Sequence, residues 1–327
     1  MALLFNDKDV HRLLSMEDAI EAVDDAFRLW SDGEASLVPR INTVAPEIPG
    51  HYYLRWFMPG TIYGRGVIGA KILLAGTPGT KPSKEATYAV LLFDSENASL
   101  LAVIEGSALS KIRTGAVTGV AAKYLARESS STMGIFGTAD YAPDQILAVC
   151  AVRPIQKIKV YSRNPENRLR FANEIKALVG CEVVTVENSE DTVVGSDIVV
   201  TVTDSSTPVF DGDLLDPGTF ISAAGSSKPD CRETDDRTLL RSKIVVEYID
   251  QAMKEAGDLV IPIADGVITK ENIYAQIDEI VAGKKPGRVS EEEIFLFKYN
   301  GIAIEDIACA LKIYENGRAQ GEGSPFG

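Results

Sequence analysis

From residue 133 the chain alternates short apolar runs with amphipathic ones. "MGIFG" reads as a buried strand, "YAPDQILAVCAVR" as a helix, "KIKVYSR" as a second strand, "PENRLRFANEIKAL" as a helix and "EVVTV" as a third strand. A βαβαβ succession calls for a parallel sheet with helices on its faces, whose strands are buried on both sides and so read as continuous apolar runs. The rhythm continues through "SEDTVVGSDIVVTVT", "GTFISAAG" and "SKIVVEYI", all short apolar strands, before helices expected around "KENIYAQIDEIVAGK". A final helix, "IAIEDIACALKIYENGRAQ", starts after Gly301, and the tail "GEGSPFG" reads as loose.

The front of the chain follows a different pattern. "SMEDAIEAVDDAFRLWSDG" has a helix-capping serine at Ser15, Asp18 three residues on, apolar positions at helical spacing and Gly33 after the stop. "HYYLRWFMPG", "GVIGAKILLAG" and "ATYAVLLFDSENASLLAVIEG" are β-rich, with "FDSENASL" as a hairpin turn, and helical spacing resumes in "SALSKIRTGAVTGVAAKYLAR". The fold class is therefore α/β: a mixed α+β domain over roughly the first 115 residues, then a Rossmann-like parallel-sheet domain. A chain of 327 residues exceeds the roughly 250 to 300 at which single cores divide.

Charge and residue counts narrow the function. A formal net charge of -14 argues against nucleic-acid or anionic-membrane partners, which need concentrated positive charge. Cys150, Cys181, Cys231 and Cys309 are scattered without a C-x-x-C pair, and His11 and His51 are the only histidines, so no metal site is expected. No apolar run approaches a membrane span and no leader is evident, which points to a cytoplasmic protein.

The turn after the first strand of the βαβ unit is "GTADYA", with Gly137, Ala139 and Ala142 in the three small-residue places of a dinucleotide-binding turn and Thr138 and Asp140 between them. Pro143 suits the first turn of a helix whose N–H groups would face a pyrophosphate. Two features depart from the ideal: the methyl of Ala139 must be accommodated, and Asp140 would repel phosphate if turned inward. A structural turn in a domain that binds no nucleotide is the competing account. The second strand ends "VYSRN" without the acidic residue that commonly accepts the ribose hydroxyls of NAD. Arg163, supported by Ser162 and Asn164, could pair with a 2′-phosphate, so NADP(H) is favoured over NAD(H).

The segments "VPRI", "GAKIL", "SKIRTGAVTGVAAKYLAR", "GIFGTADYAPDQILAVCAVRPIQKIKVYSRN", "DIVVTVTDSSTPVF", "ISAAGSSKPDCRETD" and "FKYNGIAIEDIACALKIY" cover nearly the whole chain. In them, and in their order, the chain resembles the ornithine cyclodeaminase and mu-crystallin family, which includes archaeal alanine dehydrogenases and ketimine or imino-acid reductases. It implies a homodimer built through the first domain, a last helix that returns to that domain, and a substrate pocket between the domains. The implied boundaries are 1–115 with 305–327 for the substrate-binding domain and 116–304 for the NAD(P)-binding domain. Carried over residue by residue, the substrate carboxylate is held by Arg40, Lys71 and Arg113. The resemblance also implies cofactor contacts at Thr203 and Ser205 by the nicotinamide, at Gly301 and at Thr114, and sets Asp306 at a helix start. Cyclodeaminases carry an aspartate in the "G-G-D-x-P" loop, where this chain has "GSSKP" and Ser227. That departure points to the mu-crystallin and reductase branch.

Read without the family, Lys71 and Arg113 are cations in apolar local contexts that need a partner, either an internal carboxylate or that of a small anionic imino-acid or amino-acid substrate. Arg55 in "YLRWFMPG" enters the same pocket or faces solvent, with Trp56 opposite to it under strand alternation. In the pocket it would favour a dicarboxylate such as iminosuccinate. The expected activity is NAD(P)H-dependent reduction of a small 2-imino acid, iminosuccinate or a cyclic ketimine. The alternatives are an amino-acid dehydrogenase using a 2-oxo acid and ammonia, an ornithine cyclodeaminase, and a nonenzymatic ligand-binding protein.

Overall fold

The computed structural model describes residues 1–44, 48–77 and 86–327. The chain divides into two units, Met1–Arg113 with Ile302–Gly327, and Thr114–Gly301.

The sheet of the first unit runs in the order Ser324–Phe326, Ala2–Phe5, Leu100–Glu105, Ala86–Asp94, Val67–Gly76, Tyr52–Ile62 and Ala35–Leu37, with Ile41–Asn42 pairing onto Tyr52–Ile62. Two of these strands escape a reading of the sequence. The opening "ALLF" pairs in parallel with Leu100–Glu105, and the tail, expected to be loose, pairs antiparallel with Ala2–Leu4. Each is too short to show a period and is held by the ladder it completes.

In the strand Val67–Gly76, residues Val67, Gly69, Lys71, Leu73 and Ala75 are buried in strict alternation. The C-terminal helix Ala303–Gln320 packs on that face, and glycine permits its approach. A Cβ on Gly69 would stand 2.8 Å from Ile307 Cγ1, and one on Gly60 3.1 Å from Ile307 Cδ1. Glycine is thus what brings the first turn of this helix down to the level of Lys71. The helix Met16–Ser31 lies against the same C-terminal helix, and Ser15 caps it by accepting from the Asp18 N–H at 3.0 Å.

The second unit carries a sheet in the order Glu182–Thr185, Lys157–Tyr161, Thr132–Phe136, Ile198–Thr201, Phe220–Ala223, Phe295–Lys298, Lys243–Val246 and Ile273–Gln276, every described pair parallel. The first five follow the doubly wound 3-2-1-4-5 order, with the reversal between Thr132–Phe136 and Ile198–Thr201. Two elements correct the sequence expectation. "IFLFK" supplies the buried strand Phe295–Lys298, and the helix expected around "KENIYAQIDEIVAGK" becomes the edge strand Ile273–Gln276 followed by the short helix Ile277–Val281. Both were ambiguous because a short apolar run has no decisive period. The small-residue helix Gly106–Leu125 makes a close approach at Gly115, where a Cβ would meet the Asp144 carbonyl oxygen at 2.4 Å. Among the described residues no helix is long and apolar enough to cross a membrane, and no cluster of His, Cys, Asp or Glu is arranged to hold a metal ion.

Candidate functional site

The reversal point of the second unit opens into a cleft of about 600 Å³. One wall is the turn after the first strand, Gly137, Thr138 and Ala139; another is Tyr161, Ser162, Arg163 and Asn164; a third holds Thr203, Asp204 and Ser205. In open parallel sheets this crevice, beyond the carboxyl ends of the strands, is where ligands bind. Gly137 adopts φ +110°, and a Cβ there would stand 2.5 Å from the Val202 carbonyl oxygen, so glycine is required both by conformation and by space. The helix Ala142–Val152 that follows has no side-chain cap at Tyr141, which leaves its first-turn N–H groups without one. Asp140 is exposed and lies outside the cleft lining. These features fit a dinucleotide.

At the end of the second strand, Arg163 is exposed and forms no ion pair among the described residues. Asn164 is otherwise engaged: its Oδ1 caps the helix Pro165–Lys176, accepting from Glu166 N–H at 2.9 Å and Asn167 N–H at 3.1 Å. Arg168 is buried, donating to the Ser162 carbonyl at 3.2 Å.

The Thr203 wall is held by a buried network that the sequence did not reveal. Glu233 Oε1 accepts from both N–H and Oγ1 of Thr203 at 2.7 Å, while its Oε2 accepts from Thr201 Oγ1 at 2.9 Å, Gly225 N–H at 2.8 Å and Ser226 N–H at 3.2 Å. Asp258 accepts from Glu233 N–H at 2.7 Å and pairs with Lys298 at 3.1 Å. Lys298 in turn donates to Ala223 O at 3.2 Å and Ser226 O at 2.5 Å. Burial, then the Asp258 charge, pushes the Glu233 carboxyl above its ordinary range. Glu233, Asp258 and Lys298 lie far apart in sequence, and no local pattern marks them.

Gly301 and Thr114 do not line this cleft. Gly301 is fixed by its N–H to Glu247 at 2.8 Å and its carbonyl to Gln251 at 2.9 Å, and the Thr114 carbonyl accepts from the Tyr299 hydroxyl at 2.9 Å. Ser227 is half-buried, beside the loop that Glu233 secures.

The first unit gathers the cations. Lys71, 1 % exposed, donates to Ser110 Oγ at 2.7 Å and Asp306 Oδ1 at 3.0 Å. Arg113 bonds Asp306 Oδ1 through Nε at 3.1 Å and Glu305 Oε2 through an Nη at 2.8 Å. Internal carboxylates therefore meet the demand for partners. Sequence reasoning placed Asp306 only at a helix start and passed over Glu305 and Ser110. The third ammonium hydrogen of Lys71 has no hydrogen-bond partner among the described residues, and the Tyr88 ring lies 5.4 Å from Nζ. Burial and the neighbouring Arg113 charge push the lysine down to about 8, against the opposing pull of Asp306 and Glu305.

Arg40 is buried, with its guanidinium 4.0 Å from the centre of the Trp56 ring. Ile41 pairs with Phe57, Phe57 with Ile72, and Met58 with Lys71. Carried one residue further, this register sets Arg40 in the row of Met58 and Lys71, two strand spacings or roughly 10 Å from the lysine strand and on its face of the sheet. Strand alternation fails at Arg55: the pairing skips from Leu54 to Trp56, a bulge that leaves Arg55 half-buried, with its guanidinium 5.1 Å from the same Trp56 ring. The expectation that Arg55 and Trp56 face opposite ways does not survive this bulge.

A sequence model described as the ornithine cyclodeaminase/mu-crystallin family matches residues 2–321. A Δ1-pyrroline-2-carboxylate reductase of Bacillus cereus is 34% identical over 323 residues, 98% of each chain. The Thermococcus litoralis Δ1-pyrroline-2-carboxylate reductase, solved with NADH and L-proline, superposes with a TM-score of 0.92 at 36% identity, over 99% of this chain and 100% of that one. An archaeal alanine dehydrogenase dimer with bound NAD gives 0.91 at 32% identity, over 100% and 99%.

Proposed function

The chain belongs to the ornithine cyclodeaminase/mu-crystallin family, and from that premise we propose that it is an NAD(P)H-dependent oxidoreductase that reduces the C=N bond of a small 2-imino acid. The cyclic ketimine Δ1-pyrroline-2-carboxylate, giving proline, is the substrate best supported by the relatives. The observation that carries the reading is the Lys71, Arg113 and Asp306 cluster, in which an ammonium of lowered basicity keeps one N–H uncommitted.

Arg113 and Arg40 hold the substrate carboxylate, and Lys71 reinforces them with its charge and gives its third N–H to the imine nitrogen. A protonated imine is already electrophilic, so alignment and exclusion of water are the remaining demands on the protein. The bound nicotinamide supplies the hydride. Gly137, Thr138 and Ala139 carry its pyrophosphate, while Thr203 and Ser205 form the wall at the nicotinamide end. Ser227 positions substrate or water, since a hydroxyl is no anionic base. That disfavours ornithine cyclodeamination. Asp140 is exposed and does not line the cleft, which weakens a motive for a nonenzymatic role.

Arg163 favours NADPH through its open guanidinium, whereas the relatives with bound NADH and NAD favour the unphosphorylated cofactor. A second substrate, iminosuccinate, is favoured by Arg55, which forms no ion pair among the described residues and shares the Trp56 ring with Arg40. A homodimer through the first unit is supported by apolar residues left exposed on its sheet, among them Tyr52, Leu54, Ile68 and Leu74.

The test is a side-by-side calorimetric titration with NADPH and NADH, followed by cofactor oxidation with Δ1-pyrroline-2-carboxylate, iminosuccinate, and pyruvate plus ammonia. Turnover of a preformed imine is expected. Firm cofactor binding without turnover of any imine refutes the reductase, and saturable dependence on ammonia with pyruvate assigns an amino-acid dehydrogenase. Arg163→Ala should lower the NADPH to NADH affinity ratio by roughly 10- to 100-fold if that residue holds the 2′-phosphate.

A further inference from the structure

Asp306 is bonded to both Lys71 and Arg113 and presents no surface to solvent. Its Oδ1 accepts from Lys71 Nζ at 3.0 Å and from Arg113 Nε at 3.1 Å, and its Oδ2 is buried without a hydrogen-bond partner among the described residues. Its own helix does not require it, because Glu305 closes the first turn by accepting from Ile302 N–H at 3.3 Å. A buried carboxylate with one oxygen unbonded is costly, and its two cations offset that cost.

We propose that Asp306 is a positioning residue for imine reduction, fixing Lys71 and Arg113 in one arrangement and holding Lys71 as the ammonium until the substrate nitrogen takes its proton. The proposal rests on the role given to Lys71 above. Both bonds end on one oxygen, so the two cationic nitrogens stand within about 6 Å, where they repel each other strongly in a dry interior. Asp306 neutralises that repulsion at its source. As the Lys71 N–H bond breaks, the substrate N–H bond forms; the neutral amine then regains a proton from water, drawn back by the Asp306 charge. Among the described residues, the other groups facing the lysine are Ser110 and Arg113 from the helix Gly106–Leu125, Glu305 from the C-terminal helix, and Tyr88 from the adjacent strand, while Cys309 faces Asp306, Arg113 and Glu305. Glu305 is bonded to Arg113, which leaves Asp306 as the anion bonded to the lysine among the described residues.

The experiment compares Asp306→Asn with the parent protein in two readouts: the pH profile of kcat/KM for imine reduction, and an NMR titration of Lys71 in lysine-labelled protein, assigned with Lys71→Arg. The parent should lose activity as pH rises through about 8. In Asp306→Asn the alkaline limb and the NMR midpoint should both move down by at least roughly one pH unit, so that activity falls about fivefold or more at pH 8 and far less at pH 6. A uniform loss at every pH with an unmoved midpoint overturns the proposal and leaves Asp306 a structural residue. If the parent reduces no imine, the functional reading fails, while the NMR midpoint still decides what Asp306 does to Lys71. Should Asp306→Asn not fold, Asp306→Glu displaces the oxygen by one methylene, and a smaller downward shift is expected. An unmoved midpoint there also refutes the proposal.

Discussion

Replacing Glu233 with glutamine tests whether the buried network of the second unit shapes the candidate cofactor cleft. Glutamine keeps the volume but offers one acceptor oxygen and one NH₂ in place of two acceptors. If the NH₂ takes the Oε2 place, it faces the N–H groups of both Gly225 and Ser226; in the Oε1 place it faces only that of Thr203, whose hydroxyl can rotate to accept. The cheaper orientation therefore orphans the Thr203 N–H, at about 1–3 kcal/mol, and removes charge assistance from the three bonds that remain. Relief of carboxylate desolvation, the main cause of the raised Glu233 pKa, offsets part of this, leaving roughly 2–3 kcal/mol. For a unit of this size that lowers the melting temperature by about 5–10 °C. Thr203 lines the cleft, so dinucleotide affinity should fall about tenfold as its loop shifts. Far-ultraviolet circular dichroism is the suitable probe, because both tryptophans, Trp30 and Trp56, lie in the other unit. A Glu233→Gln protein with unchanged melting and unchanged NADH binding would refute the assignment of Glu233 as the support of this wall.

Gly137→Ala should abolish dinucleotide binding, since its Cβ falls 2.5 Å from the Val202 carbonyl and φ is +110°; equilibrium dialysis at the parent's saturating concentration checks it. Lys71 gives a pH signature in stability. Its folded-state value of about 8 lies below the ordinary 10.5, so between these limits the unfolded chain holds the extra proton and the lysine's contribution to stability rises with pH. Unfolding free energies of the parent minus those of Lys71→Met should accordingly increase from pH 8 to pH 10, by at most roughly 3 kcal/mol. A flat difference would place the lysine in a wetter setting than this one.

Composition and local spacing were enough for the βαβαβ unit, the Gly137 turn, the Ser15 cap and the hairpin, because each is governed by neighbours within a few residues. Lys71 and Arg113 were legible as cations out of place in apolar surroundings. Their true partners were not: Glu305 and Asp306 arrive from nearly two hundred residues or more away on a helix that glycines at positions 60 and 69 allow to settle on the sheet. The bulge that turns Arg55 toward Trp56 depends on strand register, which no single strand specifies. The strands Ala2–Phe5, Ser324–Phe326 and Ile273–Gln276 exist because neighbouring edges pair with them. Sequence by itself determined which side chains carry charge and which turn needs glycine, whereas tertiary packing decided which charges meet, since burial makes an ion's energy depend on atoms within a few ångströms rather than on residues nearby in the chain.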